Sequence, residues 1–138
     1  MQKLTGKTVL VTGSTDGVGR LVASRLGEAG ARVLVHGRDA ERGAQVVSDI
    51  EKAGGAAIFL RADLASLVEV RRLAEAAQNA TDRLDILINN AGIGTAGGVR
   101  QESADGFELR FAVNYLAGFL LTGLLLPFPR ARSFQVEA

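Results

Sequence analysis

The sequence has 138 residues, which is enough for one domain with a sizeable core and too few for two. Apolar residues make up 47% of it and charged residues 22%, a composition typical of globular rather than disordered chains. Lysine and arginine total 16 against 15 acidic residues, so the charge balance favours neither nucleic acid nor an anionic membrane surface as a partner. The absence of cysteine excludes disulfides and thiolate metal sites, and the single histidine, His36, excludes a multi-histidine metal centre.

Four apolar runs alternate with helical patterns along the chain. The runs span residues 8–12, 32–36, 56–60 and 84–89, and the helical patterns span residues 20–29, 40–53, 67–79 and 105–126. Such alternation predicts an α/β fold with a doubly wound parallel sheet and helices on both faces. The first residues are polar and lead directly into the first strand, so we expect no signal peptide and a cytoplasmic protein.

The last helical pattern is apolar nearly all round. A helix of this kind is buried on both sides or lies in lipid. Arg110, Asn114 and Pro127 interrupt or bound the apolar run, which disfavours a membrane span. No further strand is predicted after it. We therefore expect an incomplete α/β domain over residues 1–126 and a divergent tail over residues 127–138.

A glycine-rich stretch links the first strand to the first helix. Its residues are Thr12, Gly13, Ser14, Thr15, Asp16, Gly17, Val18 and Gly19. Glycines at such a position let the backbone turn sharply and approach a ligand, and the helix that follows offers unpaired N–H groups and a positive dipole end. These features predict a site for the pyrophosphate of a dinucleotide.

Three further motifs occur at fitting positions, and together with the glycine-rich stretch they resemble the short-chain dehydrogenase/reductase family. They are Asp63-Leu64 after the third strand, Asn89-Asn90-Ala91-Gly92 after the fourth, and Asn114 in the last helix. The resemblance implies a Rossmann-type sheet of about four strands in the order 3-2-1-4. It also implies NAD(P)-dependent oxidoreductase activity, an adenine contact by Asp63 and Leu64, and a ribose placed beside Asn90, Ala91 and Gly92.

The resemblance also assigns Asn114 to the family's catalytic tetrad, and the stretch over residues 105–126 is most similar to retinol dehydrogenases and protochlorophyllide reductases. A structural asparagine that bonds local backbone is the alternative for Asn114. For Asp63 the alternative is a cap of the following helix.

Cofactor choice depends on the end of the second strand. Arg38 suits the 2′-phosphate of NADP, which we favour over NAD. Asp16 stands where NADP-preferring relatives often carry a basic residue, and Asp39 suits either a ribose or a helix cap. His36 is expected to pack beside the adenine pocket rather than to act as a catalyst.

The family's acid/base pair, Tyr-x-x-x-Lys, does not occur in this sequence. Phe119 stands four residues after the only tyrosine, Tyr115, and the lysines lie far from it in the sequence. We therefore expect a chain that binds the cofactor but is poorly active alone. Two alternatives remain open. The chain is a non-catalytic dinucleotide-binding or assembly module, or it is the remnant of a frameshifted reductase gene. Self-association is expected through the last helix or through an exposed edge at the fourth strand.

Overall fold

The computed structural model describes residues 3–94, 97–127 and 132–135, and strands alternate with helices along them. The elements are β1 (Thr8–Val11), α1 (Gly17–Glu28), β2 (Arg32–Gly37), α2 (Ala40–Lys52), β3 (Ala56–Arg61), α3 (Leu67–Ala80), β4 (Ile86–Asn89), α4 (Leu109–Phe111), a π-helical turn (Ala112–Leu116), α5 (Ala117–Leu125) and β5 (Arg132–Gln135). The continuous stretch from α4 to α5 is called the last helix below.

The strands form one parallel sheet in the order β3-β2-β1-β4-β5. The predicted doubly wound sheet and the order of its first four strands are confirmed. The tail, for which no strand was predicted, contributes β5, so the expectation that β4 forms an exposed edge is wrong. The sequence of β5, Arg-Ser-Phe-Gln, has no apolar run, and its pairing with β4 rests on backbone hydrogen bonds, which leave no sequence pattern.

Side-chain alternation along the strands divides the core into two layers. Leu10, Leu34 and Leu87 face α3 and α5, and Val9 and Val33 face α1 and α2. Both faces of the sheet are therefore covered, as parallel sheets require. The four valines of β1 and β2 and these three leucines are each at most 1% exposed.

The last helix begins at Leu109 and not at residue 105 as the pattern predicted. A turn precedes it, in which Gly106 has φ +82° and the Ser103 hydroxyl accepts the N–H groups of Asp105 and Phe107. The Glu108 carboxylate then accepts the Phe111 N–H at 2.7 Å and caps the helix. Polar side chains of this turn compete with helix formation, which the apolar periodicity did not reveal.

Leu121 and Leu125 of α5 are 1% exposed and complete the core layer beside α3. The apolar character of the last helix thus reflects burial against the sheet on one side. Among the described residues, no helix combines the length and the apolar character that crossing a bilayer would need.

The core predicts a clear difference between buried and exposed leucines. Leu10→Ala removes a fully buried side chain from the central strand and should lower the free energy of unfolding by about 2–5 kcal/mol. Leu21→Ala on α1, where Leu21 is 58% exposed, is the matched control and should change it by about 0.5 kcal/mol or less. Urea denaturation followed by circular dichroism measures both. Equal losses in the two variants would contradict the layer assignment.

Candidate functional site

A cleft of about 440 Å³ opens at the carboxyl ends of the strands, on the side where β1 leads into α1 and β2 leads into α2. Twelve of the predicted cofactor residues line it. They are Gly13, Thr15, Asp16, Gly17, Val18, Gly19, Arg38, Asp63, Leu64, Asn90, Ala91 and Gly92. The structure therefore brings together residues that are up to 79 positions apart in the sequence at the edge where parallel α/β sheets bind ligands.

The three glycines of the turn have different roles. Gly13 has φ +62°, and a Cβ there would lie 2.8 Å from the Cα of Ala91. A Cβ on Gly19 would lie 2.1 Å from the Gly13 carbonyl oxygen, so both glycines permit close backbone packing. Gly17 has φ +53°, and apart from its chain neighbours and the backbone of its own helix no described atom lies within 4 Å of the place where its Cβ would stand. The space beside Gly17, at the start of α1, is thus available to a ligand.

The turn is tied to the connection after β4 by two polar side chains. The Thr12 hydroxyl accepts the N–H groups of Asn90 and Ala91, both at 3.0 Å. The Asn90 side-chain amide donates to the carbonyl oxygens of Thr12 and Gly13, at 3.2 and 3.1 Å. All four hydrogen bonds join protein groups, so the turn is held in place by the protein itself.

The start of α1 carries a carboxylate. Asp16 is the N-cap, and its Oδ1 accepts the Gly17 N–H at 2.8 Å. The first N–H groups of a helix have no partner within the helix and favour an anion. The Asp16 side chain is 83% exposed, so it can move to another rotamer when a ligand anion approaches.

The outer end of the cleft is lined by two arginines, of which only Arg38 was predicted from the sequence. The second, Arg42, has its Nη1 3.8 Å from Asp16 Oδ2 and its Nε 4.0 Å from Asp39 Oδ2. Asp39 caps α2 by accepting the N–H groups of Glu41 and Arg42. Asp39 therefore caps α2, one of the two roles considered for it. The same cap could have indicated Arg42 as a cleft residue, because a residue three positions after the N-cap lies at the same end of the helix.

The opposite wall is the connection from β3 to α3. Asp63 Oδ1 accepts the Ala65 N–H at 2.9 Å, and the Glu69 carboxylate accepts the Asp63 N–H at 3.0 Å. Ser66 is the N-cap of α3, so Asp63 does not cap the following helix as the alternative expected and instead stabilises the connection before it. An adenine contact of Asp63 stays a prediction. Leu64 is buried at 6% exposure and anchors the connection in the core.

His36 and Ser14 lie behind the glycine-rich turn. The His36 ring is 2% exposed, its Nδ1 accepts the Gly13 N–H at 3.0 Å, and its Nε2 lies 2.9 Å from the Ala62 carbonyl oxygen. Burial lowers the pKa of His36 below its usual value of 6.5. Ser14 is fully buried, donates to the Val11 carbonyl oxygen at 2.7 Å and accepts the His36 N–H at 2.9 Å. Ser14 therefore supports the turn from behind and is outside the cleft lining.

Asn114 lies in a second, larger cavity of about 900 Å³ between the connection after β4 and the last helix. Its Oδ1 accepts the Ile93 N–H at 2.7 Å and its Nδ2 donates to the Ile93 carbonyl oxygen at 3.0 Å. This bidentate contact coincides with the π-helical turn, a feature frequent at functional sites. The backbone role considered for Asn114 is present, and its role in a tetrad stays a prediction.

Tyr115, beside Asn114, is 56% exposed and stacks between Phe111 and Phe119 with ring centroids 5.4 and 6.3 Å apart. Its ring is held among aromatic neighbours on the surface of the last helix.

Comparison with known proteins agrees with this geometry. The sequence profile described as short chain dehydrogenase matches residues 7–133, which extends past residue 126, where the sequence analysis ended the resemblance. Human dehydrogenase/reductase SDR family member 13 is 43% identical over 133 residues, covering 95% of this chain and 34% of that protein. Mouse retinol dehydrogenase 14 is 41% identical over 133 residues, covering 88% of this chain and 39% of that protein.

Among solved structures, the landomycin C-6 ketoreductase LanV with bound NADP and rabelomycin superposes with a TM-score of 0.84 at 36% identity, covering 99% of this chain and 60% of that one. The chain spans between about a third and a half of the length of the curated relatives it matches. The profile match, the relatives and the order of the four core strands agree with the predicted family. The chain belongs to the short-chain dehydrogenase family.

Proposed function

We propose that this chain carries the NADP-binding part of an NAD(P)-dependent oxidoreductase. The observation that carries the proposal is the glycine-rich turn, in which Gly17 leaves open space at the start of α1 while Gly13 and Gly19 are packed tightly. That combination suits a pyrophosphate lying over the first turn of the helix. A bound nicotinamide cofactor supplies the hydride for carbonyl reduction, and this chain's residues hold the cofactor.

Preference for NADP over NAD follows from charge at the outer end of the cleft. Arg38 and Arg42 both line it and can each donate to a 2′-phosphate. Arg42 is within 4.0 Å of the carboxylates of Asp16 and Asp39, so a phosphate would compete with them for the same guanidinium. All of these carboxylates and guanidinium groups are largely exposed, which keeps the cost of exchanging partners low. NADP bound in the LanV structure supports this choice.

We further propose that the chain alone reduces carbonyl compounds poorly. General acid catalysis needs a proton donor within hydrogen-bond reach of the reacting oxygen and with a suitable pKa. The only tyrosine, Tyr115, is stacked between Phe111 and Phe119, and no lysine follows it at the spacing of the family's pair. The same observation favours the second candidate, a dinucleotide-binding module without catalysis of its own.

Self-association through the last helix is the third part of the proposal. Phe111, Tyr115 and Phe119 form an exposed aromatic row along it, with side chains 48%, 56% and 71% exposed. Leu126, 59% exposed, lies at the end of the same helix. Exposed apolar groups that adjoin each other mark contact surfaces more often than isolated ones do. Because β5 covers β4, we do not propose association through the edge of β4.

Arginine substitutions test the cofactor preference. Arg38→Ala and Arg42→Ala should each weaken NADPH binding by about ten- to a hundredfold, because each removes a charge-assisted hydrogen bond to the 2′-phosphate. NADH binding should change much less. Isothermal titration calorimetry with both dinucleotides measures the ratio.

Arg25→Ala is the matched control, since Arg25 lies at the far end of α1 and pairs with Glu28. It should leave both affinities unchanged. Equal losses for NADPH and NADH in the Arg38 and Arg42 variants would contradict the 2′-phosphate assignment. Failure of the unaltered chain to bind either dinucleotide would contradict cofactor binding and favour a gene remnant.

A steady-state assay tests activity. With saturating NADPH and a panel of small ketones, the chain should oxidise NADPH more slowly than LanV by a factor of about 100 to 10,000, the range that a general acid contributes. Tyr115→Phe should leave the residual rate unchanged because the hydroxyl takes no part in it. A rate comparable to that of LanV, or one abolished by Tyr115→Phe, would show that the chain has its own proton donor.

Sedimentation velocity tests self-association. Phe119→Ser removes the most exposed ring of the aromatic row and should shift the chain toward monomer by at least about threefold in dissociation constant. Val99→Ser, at an exposed position outside the helix, is the control and should have no effect. A monomeric unaltered chain over the whole concentration range would overturn this part of the proposal.

A further inference from the structure

His36 joins two loops of the cleft that do not contact each other through any hydrogen bond described for their backbones. One of its ring nitrogens is bonded to Gly13 in the glycine-rich turn, and the other to Ala62, directly before Asp63 in the β3–α3 connection. The ring is 2% exposed, and its own backbone N–H donates to the Ser14 hydroxyl at 2.9 Å. The imidazole therefore fills the space between the predicted pyrophosphate and adenine ends of the site.

The two contacts fix the state of the ring. Gly13 contributes a backbone N–H, which can only donate, so Nδ1 must carry a lone pair and no proton. Ala62 contributes a carbonyl oxygen, which can only accept, so Nε2 must carry the proton. The arrangement thus requires a neutral imidazole with its proton on Nε2.

We propose that His36 is a positioning residue, which as the neutral Nε2–H tautomer fixes the glycine-rich turn relative to the β3–α3 connection and thereby sets the affinity for NADP. The inference rests on the proposed cofactor function and adds a residue that acts through the two loops it joins.

Burial and the neighbouring polar groups shift the pKa of His36 in opposite directions. Burial lowers the pKa of His36 most strongly, while the bond to the Ala62 carbonyl oxygen and the nearby Asp63 carboxylate raise it. Asp16 on the turn, Arg38 after β2 and Arg42 on α2 line the same cleft. Because burial dominates, the ring stays neutral at neutral pH and takes up a proton only below its usual titration range. An imidazolium has no acceptor for the Gly13 N–H, so acidification breaks that contact.

Two substitutions separate positioning from packing. His36→Leu removes both contacts and should weaken NADPH binding by about tenfold or more, whereas His36→Asn, whose amide oxygen can take the place of Nδ1, should weaken it by about threefold. Val35→Ala is the control, since Val35 is a fully buried neighbour on β2. It should lower the unfolding temperature without changing NADPH affinity. Equal loss of affinity in all three variants would reduce His36 to a packing residue and overturn the proposal.

The pH dependence gives a second readout. The ratio of the NADPH affinity of the unaltered chain to that of His36→Asn should fall as the pH is lowered below about 6.5, because burial lowers the pKa of His36 and only the imidazole titrates at this position. Titration of the cofactor's own phosphates is common to both proteins and cancels in the ratio. A ratio that stays constant or rises on acidification would overturn the role of the neutral ring.

Nuclear magnetic resonance of the ligand-free chain tests His36 independently of cofactor binding. The imidazole nitrogen shifts should report the Nε2–H tautomer, and the Gly13 amide should exchange with solvent slowly in the unaltered chain and rapidly in His36→Leu. If the chain binds no NADPH but shows these signatures, the proposed function fails while the loop contact stands. If it binds NADPH with an Nδ1–H tautomer or an unprotected Gly13 amide, the positioning role fails.

Discussion

The contact between the glycine-rich turn and the connection after β4 determines the geometry of the whole site. At Gly13 a single added Cβ would lie 2.8 Å from the Cα of Ala91, so the two backbones touch without any side chain between them. Thr12 and Asn90 bond this contact from both sides, with four hydrogen bonds of 3.0 to 3.2 Å. Because adjacent strands β1 and β4 carry these two segments, the register of the sheet sets their separation, and the open space at Gly17 follows from it.

Electrostatics at the site reflect a competition between protein and ligand groups. Asp16 satisfies the Gly17 N–H and also lies near Arg42, so the chain supplies its own anion at the position where a cofactor phosphate would bind. Such a carboxylate lowers phosphate affinity by repulsion unless it turns toward solvent. Its high exposure makes that movement inexpensive, whereas the buried Thr12 and His36 contacts do not change easily. The cleft is thus a fixed backbone cradle with an adaptable charged rim.

The first four strands of the sheet could be predicted from the sequence because the apolar runs end close to where the family motifs begin. Val9, Leu10 and Val11 of β1 form an apolar, fully buried run, and Asp39 is the N-cap of α2, one of the two roles considered for it. The start of the last helix was missed because Ser103 and Glu108 form a polar turn where apolar periodicity alone indicates a helix. β5 was missed because a short edge strand can be held by backbone pairing with little apolar sequence.

At the site, the family motifs predicted which residues meet, but not how their side chains are used. Ser14 is a member of the glycine-rich motif, yet its hydroxyl faces Val11 and His36 behind the turn. Arg42 belongs to no motif and enters the cleft only because the Asp39 cap fixes the start of α2. His36 was expected beside the adenine pocket, which stays a prediction. Its double contact depends on the distance between two loops that are 49 residues apart at Gly13 and Ala62. Spacing in a sequence can indicate which strands end at the same edge of the sheet. Distances in the folded chain then determine which residues at that edge can contact a ligand, support the turn or repel an anion.

The last helix has a buried side and an exposed side, and the two sides have different roles. Leu121 and Leu125 are nearly inaccessible and close one core layer of the sheet, so this side is required wherever the sheet is folded. The aromatic row of Phe111, Tyr115 and Phe119 lies on the exposed side and contributes little to that layer. Asn114 lies between them, and its bidentate bond to Ile93 fixes the end of the β4 connection against the helix. The buried leucines and the Asn114 bond thus hold the connection after β4 in place without any contribution from a proton donor.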